Sequence, residues 1–167
     1  MENECCGDLV FLKPLNLSDK KQIKKWNKDE EVSQYREIYV PGDNKFQNIS
    51  FGIHDQKSQK LIGDIGISLI DVKNKHAEIG MTIGDKDYWN KGYGTDLVKA
   101  ILKFCFIDLK LNKVYLDVWE ENKRAIGCYS KCGFKKDGVL REHVFRDGRY
   151  HNKWVMSILK NEWSELK

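Results

Sequence analysis

The sequence has little of what marks disordered, secreted or membrane-spanning proteins. It contains two prolines in 167 residues and no long polar tract, which argues against linkers and disorder. No run of about 18 apolar residues could cross a membrane, and no apolar N-terminal run has the signal-peptide pattern. We therefore expect one globular, cytoplasmic domain over residues 8–160, with 1–7 and 161–167 as terminal extensions.

The cysteines lack the spacing of a metal site or a disulfide framework. There are five, an odd number, and none falls in the paired patterns of zinc sites. Cys128 and Cys132 lie one helical turn apart, but no histidine accompanies them. We interpret them as packing residues, predict no metal, and expect a reducing compartment.

Charge of one sign is not concentrated in any segment. The 29 basic residues are interleaved with 25 acidic ones, and the net charge of +4 is modest. A nucleic-acid-binding surface needs a basic stripe. We therefore expect neither a nucleic acid nor a membrane as a partner.

Periodicity predicts a mixed order of strands and helices. Alternating residues predict strands over 8–14, 49–54, 60–71, 75–84, 113–118, 136–146 and 149–160. Helical spacing predicts helices near 18–26, 30–35, 96–109 and 123–131, with Ser18 as the first N-cap and a loop over 38–48. Asp147-Gly148 is a type I′ turn signal, which predicts a terminal hairpin with His151 opposite Val144.

The most informative segment is 89–95, which joins a predicted strand to a strongly apolar helix. Gly92 and Gly94 can take positive φ, so successive backbone amides can form a concave nest at the positive end of the helix. No Lys-Ser or Lys-Thr pair follows the glycines, and the three-glycine dinucleotide spacing is missing. The segment therefore predicts a phosphate site of another kind.

A second motif, Asn122 to Phe134, follows the strand 113–118. Together with the segment 89–95 it resembles the two signature blocks of the GNAT acetyltransferase superfamily, over about residues 9–160. The resemblance is closest to the branch that acetylates ribosomal-protein N-termini. It implies an α+β fold with a mixed, mostly antiparallel, strongly twisted sheet of about seven strands and about four flanking helices. The sheet would be splayed between its fourth and fifth strands, and acetyl-CoA would be the co-substrate.

The resemblance also implies which residues bind the cofactor. A tyrosine on the second helix, Tyr129, would protonate the departing thiolate. Trp89 stands where the superfamily often has Gln or Arg, so side-chain help for the phosphates must come from elsewhere, with Lys91 as a candidate. The expected cofactor contacts are Met81, Thr82, Ile83, Trp89, Asn90, Lys91, Gly92, Tyr93, Gly94, Thr95, Asn122 and Tyr129.

Acetyl transfer to an amine also needs a proton acceptor, because an alkyl ammonium of pKa about 10.4 is charged at neutral pH. Glu78 lies on the strand that enters the phosphate loop, on the face opposite Ala77 and Ile79, and is the leading candidate for the base.

Residues of the early helices and the terminal hairpin would select the acceptor. We expect acceptor contacts from Trp26, Glu30, Tyr35 and Tyr150. The acidic cluster of Asp29 to Glu31 with Glu37 could attract a polycation such as spermidine. A protein N-terminus, a polyamine and another small amine all stay open, as does assembly into a homodimer. Two alternatives remain: a non-catalytic acyl-CoA sensor on the same fold, and a loop that holds a different phosphorylated ligand.

Overall fold

The chain folds into one sheet with helices on both faces. The computed structural model describes residues 5–36 and 47–165. The strands are β1 (Val10–Pro14), β2 (Gln47–Asp55), β3 (Leu61–Asp71), β4 (His76–Ile83), β5 (Lys113–Trp119), β6 (Lys135–Arg146) and β7 (Arg149–Leu159). The helices are α1 (Leu17–Trp26), α2 (Glu30–Ser33), α3 (Tyr93–Lys103), α4 (Lys123–Lys131) and α5 (Lys160–Glu165). A 3₁₀ turn (Lys86–Tyr88) precedes α3, and a π-helical turn (Phe104–Asp108) continues it.

The sheet is mostly antiparallel, in the order β1-β2-β3-β4-β5-β7-β6. Its parallel pair is β4 with β5, which are in register from His76 to Glu78 against Lys113 to Tyr115. Beyond these positions the two strands splay apart. The α+β fold class, the strand count and the position of the splay are thereby confirmed, and the structure adds the short α5 to the four expected helices.

The core lies between α3 and one face of the sheet. Alternating residues of β3 and β5, such as Ile65, Ile67 and Leu116, are almost fully buried there. Leu97 and Ile101 of α3 pack in the same cluster. Burial of each such side chain contributes about 1.5–3 kcal/mol, which is why the helix after the phosphate loop is held firmly.

The opposite face of the central strands carries polar residues, and we call it the polar face. Register pairs Ser68 of β3 with Glu78 of β4, and Glu78 with Tyr115 of β5. Asp64 pairs with Thr82 in the same way, two pleats further along. Since residues paired across strands share a face, the polar face brings carboxylates from several strands together.

The first helix begins earlier than predicted. Ser18 was expected as its N-cap, but the N-cap is Asn16, whose side chain accepts from the Asp19 amide at 2.9 Å. The Asp19 carboxylate accepts in return from the Asn16 amide at 3.1 Å. This capping box satisfies two helix-end donors at once, which a serine two residues later could not do. The predicted loop 38–48 and Glu37 lie outside the described residues, except that Gln47 and Asn48 open β2.

Asp96 in the first turn of α3 ties the start of the chain to the phosphate loop. Its carboxylate accepts from the amides of Asp8, Leu9 and Val10 at 2.9, 2.8 and 3.0 Å. A carboxylate is also favoured at the positive end of a helix. At the other end, the Trp163 ring lies 5.3 Å from the Phe106 ring, so both termini contact the domain. The boundaries 8–160 stay a prediction.

Candidate active site

The loop before α3 leaves a run of backbone amides without backbone partners. Asn90 and Gly92 take left-handed conformations, with φ of +58° and +88°. Among the described residues, no amide from 90 to 95 donates to a backbone carbonyl, whereas the Asp96 amide donates to the Gly92 carbonyl at 3.0 Å. Free amides at the positive end of a buried helix form an anion site.

Several side chains of this loop serve its structure. The Tyr93 hydroxyl donates to the Asp55 carboxylate at 2.9 Å, and its ring packs edge-on against Tyr88 at 4.8 Å. The Thr95 hydroxyl lies 3.7 Å from the Cys128 sulfur. The backbone of the loop is therefore what can meet a ligand, while these side chains hold it in place.

Helix α4 packs directly behind the loop. A Cβ at Gly94 would lie 3.4 Å from the Cys128 sulfur, so the helix and the loop are in close contact here. The S–H of Cys132 can donate either to the Thr95 carbonyl, 3.6 Å away, or to the Cys128 sulfur. The second arrangement, helped by the Thr95 hydroxyl, lowers the pKa of Cys128 to about 7.

Trp89 and Arg124 meet where β4 leads into the loop. The Trp89 indole donates to the carbonyl of Ile83, the last residue of β4, at 2.7 Å. The Arg124 guanidinium, in the first turn of α4, lies 3.9 Å from the centre of the Trp89 ring. Arg124 thus places a cation next to Trp89, the residue that stands where the superfamily often has Gln or Arg. Sequence reasoning missed Arg124, although its place two residues after Asn122 is a usable signal.

Asn122 begins α4, and Tyr129 lies in its last turn. The Asn122 side chain accepts from the Ala125 amide at 3.2 Å, as an N-cap does. Tyr129 is only 7% exposed, and its ring lies 5.7 Å from that of Phe134. In the described part of the chain no residue hydrogen-bonds its hydroxyl. Burial, with a smaller effect of Cys128, raises the pKa of Tyr129, so the phenol is protonated at neutral pH.

Glu78 lies at the last paired position before β4 and β5 part. Its register partner is Tyr115, whose pKa is raised by burial first and then by the charges of Glu78 and Asp117. A Cβ at Gly80, the next position along the same face, would meet nothing within 4 Å. The polar face therefore has room for a side chain at Gly80, two residues beyond Glu78.

The two neighbouring carboxylates of the polar face are already engaged by cations. Arg36 donates to both carboxylate oxygens of Asp64, at 2.9 and 2.7 Å. Lys153 of β7, whose side chain is 4% exposed, lies 2.7 Å from the Asp117 carboxylate. These pairs are partly buried, and breaking the second would leave the buried Lys153 charge without its counter-ion.

The expected acceptor residues lie at different places around the splay. Trp26 packs on the end of β4, where a Cβ at Gly84 would overlap its ring. Tyr35 lies edge-on to Trp119 at the end of β5, with ring centres 5.7 Å apart. Glu30 is exposed on α2, and Tyr150, 62% exposed, packs at a tilt against the Phe145 ring on the terminal hairpin. Met81 and Ile83 face α3, whereas Thr82 faces the polar side with Asp64.

The acidic cluster on α2 already contains an ammonium group. Lys86 lies 2.9 Å from the Asp29 carboxylate and 2.7 Å from that of Glu31. In the residues that the structure describes, no group of three or more His, Cys, Asp or Glu side chains could hold a metal ion. None of the described helices has the length and apolar character needed to cross a membrane.

Comparison with known proteins gives consistent matches along most of the chain. The family model for the acetyltransferase (GNAT) domain matches residues 10–135. The spermidine N(1)-acetyltransferase of Vibrio cholerae is 30% identical over 159 residues, covering 94% of this chain and 90% of that protein. The uncharacterized N-acetyltransferase p20 of Bacillus licheniformis is 28% identical, covering 93% of this chain and 95% of p20. The crystal structure of the Vibrio cholerae spermidine N-acetyltransferase in complex with CoA and spermine superposes with a TM-score of 0.80 at 28% identity, covering 93% and 98% of the two chains.

Proposed function

The chain belongs to the GNAT acetyltransferase family, and we propose that it transfers an acetyl group from acetyl-CoA to a primary amine of a polyamine, by direct attack in a ternary complex. The observation that carries the proposal is the splay of β4 and β5 beside a loop of partner-free amides. Tyr129 on the helix after β5 and Glu78 at the last paired position of β4 complete the arrangement.

The site fits coenzyme A at both ends. Two left-handed residues, a helix N-terminus and the close glycine at 94 form a cradle for a diphosphate. Where β4 loses its partner, the backbone of Met81 and Ile83 can bond an extended amide chain as a missing strand would. When bound, acetyl-CoA supplies the activated acetyl thioester. The residues that we assign to it are Met81, Thr82, Ile83, Trp89, Asn90, Lys91, Gly92, Tyr93, Gly94, Thr95, Asn122, Arg124 and Tyr129.

Glu78 is the carboxylate of the polar face that we assign as proton acceptor, directly or through water. Protonating Asp117 would take the counter-ion from the buried Lys153, and protonating Asp64 would break the pair in which Arg36 donates to both carboxylate oxygens. Both pairs are partly buried, so losing either one is unfavourable. The open space beside Glu78 gives room for the amine or the water that it would deprotonate.

Tyr129 is the group that we assign to the departing sulfur. Its raised pKa keeps the phenol protonated, so it can donate a hydrogen bond to negative charge that develops there. Complete transfer of the proton to a thiolate of pKa about 8.5 would be uphill from such a phenol. We therefore infer that Tyr129 only donates a hydrogen bond to the departing thiolate and keeps its proton, and that the thiolate takes a proton from solvent after release.

A polyamine is the acceptor that the relatives favour. Several curated relatives are spermidine N-acetyltransferases, from Vibrio cholerae and from Escherichia coli at 28% identity over 92% of this chain. Exposed Glu30 with the aromatic rings of Trp26, Tyr35 and Tyr150 is the acceptor set that we propose. Placement in the branch that acetylates ribosomal-protein N-termini stays a prediction.

A thiol-release assay with acetyl-CoA tests the proposal. The acceptors are spermidine, spermine, a peptide with a free N-terminus and an amino sugar, with fully acetylated spermidine as the control that lacks amines. We expect turnover with the polyamines. Turnover with the peptide alone would assign the protein-N-terminus acceptor instead, and CoA binding by calorimetry without any turnover would favour the acyl-CoA sensor. Tighter binding of an adenosine nucleotide than of CoA would contradict the cofactor.

The cytoplasmic location and the homodimer, both expected from the sequence, stay predictions. Size-exclusion chromatography with light scattering measures the second.

A further inference from the structure

The carboxyl end of α2 is held by a side chain from the terminal hairpin. Arg146, the last residue of β6, donates from Nη1 to the carbonyls of Ser33, at 3.3 Å, and Gln34. Its Nη2 donates to the carbonyl of Arg36 at 3.1 Å. The last carbonyls of a helix lack intrahelical partners and carry partial negative charge, so a forked cation suits this place.

Arg146 is itself fixed on its other sides. Its guanidinium lies 4.8 Å from the centre of the Trp119 ring, at the end of β5. Its carbonyl lies 3.2 Å from Nε2 of His151, a residue that is 6% exposed. Nδ1 of His151 lies 3.0 Å from the Glu121 carboxylate, and this contact lowers the pKa of Glu121. The position of the guanidinium is therefore set by packing as well as by its own hydrogen bonds.

The segment 33–36 is also attached to the sheet. Tyr35 lies edge-on to Trp119, and Arg36 forms its two-pronged pair with Asp64 of β3. The segment thus spans from the third strand to the end of the fifth, across the opening of the splay. Arg146 adds a third attachment to this segment, from the end of the edge strand β6.

We propose that Arg146 is a positioning residue for the amine acceptor: it holds the segment 33–36 over the splay so that Glu30 and Tyr35 meet the acceptor in one arrangement. The inference rests on the proposed function for the identity of the acceptor side. Arg146 does not act on the reacting atoms. Its removal should weaken use of the amine and leave CoA binding intact, because the residues assigned to CoA lie on β4, its loop and α4.

The test compares Arg146→Met with Arg149→Met. Arg149 is the cross-strand partner of Arg146 at the same turn and is exposed, so the control removes the same charge from the same hairpin. We expect Arg146→Met to raise KM for spermidine about 10-fold or more, since several hydrogen bonds from a charged donor are lost. We expect the CoA Kd to change less than about twofold, and Arg149→Met to resemble wild type in both. Arg146→Lys restores the charge but not the fork, so its KM should fall between wild type and Arg146→Met.

Hydrogen exchange gives a readout that does not depend on turnover. Peptides covering 33–36 should exchange faster in Arg146→Met than in wild type, and not in Arg149→Met. Wild-type KM and wild-type exchange in Arg146→Met would overturn the proposal. Equal losses of amine use, CoA affinity and Tm would overturn it too, because they would mean general loss of packing. If the wild type acetylates no amine, the proposed function fails, and the exchange experiment still decides whether Arg146 holds the segment.

Discussion

Tyr129→Phe distinguishes a catalytic role of the Tyr129 hydroxyl from a packing role of its ring. The substitution removes one oxygen that, in the described part of the chain, has no hydrogen-bond partner, and it keeps the ring that packs on Phe134. No hydrogen bond between described residues is lost, so the free energy of unfolding should change by less than about 0.5 kcal/mol. The loss of a positioned acid costs about 10²–10⁴-fold in rate, equivalent to about 2.7–5.5 kcal/mol in the barrier.

The structure places the expected loss toward the lower end of that range. Burial raises the pKa of Tyr129 above the ordinary phenol value of about 10, further from the pKa of about 8.5 of a leaving thiol. A weaker acid transfers its proton less completely, so the hydroxyl stabilises charge mainly as a hydrogen-bond donor. We therefore expect kcat to fall about 100-fold. Because the pKa is raised, the wild-type kcat should also show no decline from Tyr129 ionisation up to about pH 10.

The assay is thiol release at saturating acetyl-CoA and spermidine, with thermal unfolding of both proteins as the control. A kcat within twofold of wild type at unchanged Tm would refute the role of the hydroxyl. A fall in kcat together with a Tm lower by several degrees would instead assign the effect to packing. An unchanged CoA Kd is expected for Tyr129→Phe in either case, because we assign the hydroxyl to the sulfur of CoA and not to its phosphates.

Four further substitutions test the proposed cofactor loop and the helix α4 behind it. Arg124→Met should weaken CoA binding about 10-fold in calorimetry and reduce its salt dependence, since a charge-assisted contact is worth about 1.5–3 kcal/mol. We expect Lys91→Met to have a smaller effect on CoA binding, and an equal or larger effect would contradict the greater role that we give to Arg124. Gly92→Ala should lower the free energy of unfolding by about 1–2 kcal/mol, because φ at this position is +88°. Unchanged Tm and CoA affinity would argue against a rigid loop. Alkylation of Cys128 should accelerate as pH rises through about 7, and bound CoA should slow it. Cys132→Ala removes the S–H donor, so the midpoint pH of this acceleration should move upward. An unmoved midpoint would assign the lowered pKa of Cys128 to another cause.

Features that depend on backbone conformation could be predicted from the sequence. Gly133 ends α4 in a left-handed conformation, with φ of +90°, and Asp147-Gly148 forms the hairpin turn that pairs His151 with Val144. The left-handed region excludes most side chains, so glycine at such a position carries its own structural signal. In the segment 89–95 the same reasoning holds for Gly92, with φ of +88°, but not for Gly94, which lies inside α3 and does not have a positive φ.

The contacts that build the acceptor side could not be predicted in this way. Arg146 bonds residues more than 100 positions earlier, and Lys153 reaches Asp117 because β7 lies between β5 and β6. Neither pairing has a local signal, since any of the 29 basic residues could have met any carboxylate. Only the strand order decides which of them meet.

The distribution of charge limits how a polyamine could be selected. Asp64 and Asp117 on the polar face hold internal cations, and Lys86 occupies the carboxylates at 29 and 31. Exposed Glu30 remains as an acidic contact for a polycation, and an exposed ion pair contributes about 0–1 kcal/mol, or about fivefold in affinity. A preference for spermidine over a monoamine greater than this must come from the shape and desolvation of the acceptor site. In our proposal, Arg146 fixes the segment 33–36 and thereby the shape of the acceptor site. The preference between acceptors should therefore respond to Arg146 substitutions more strongly than the overall rate does.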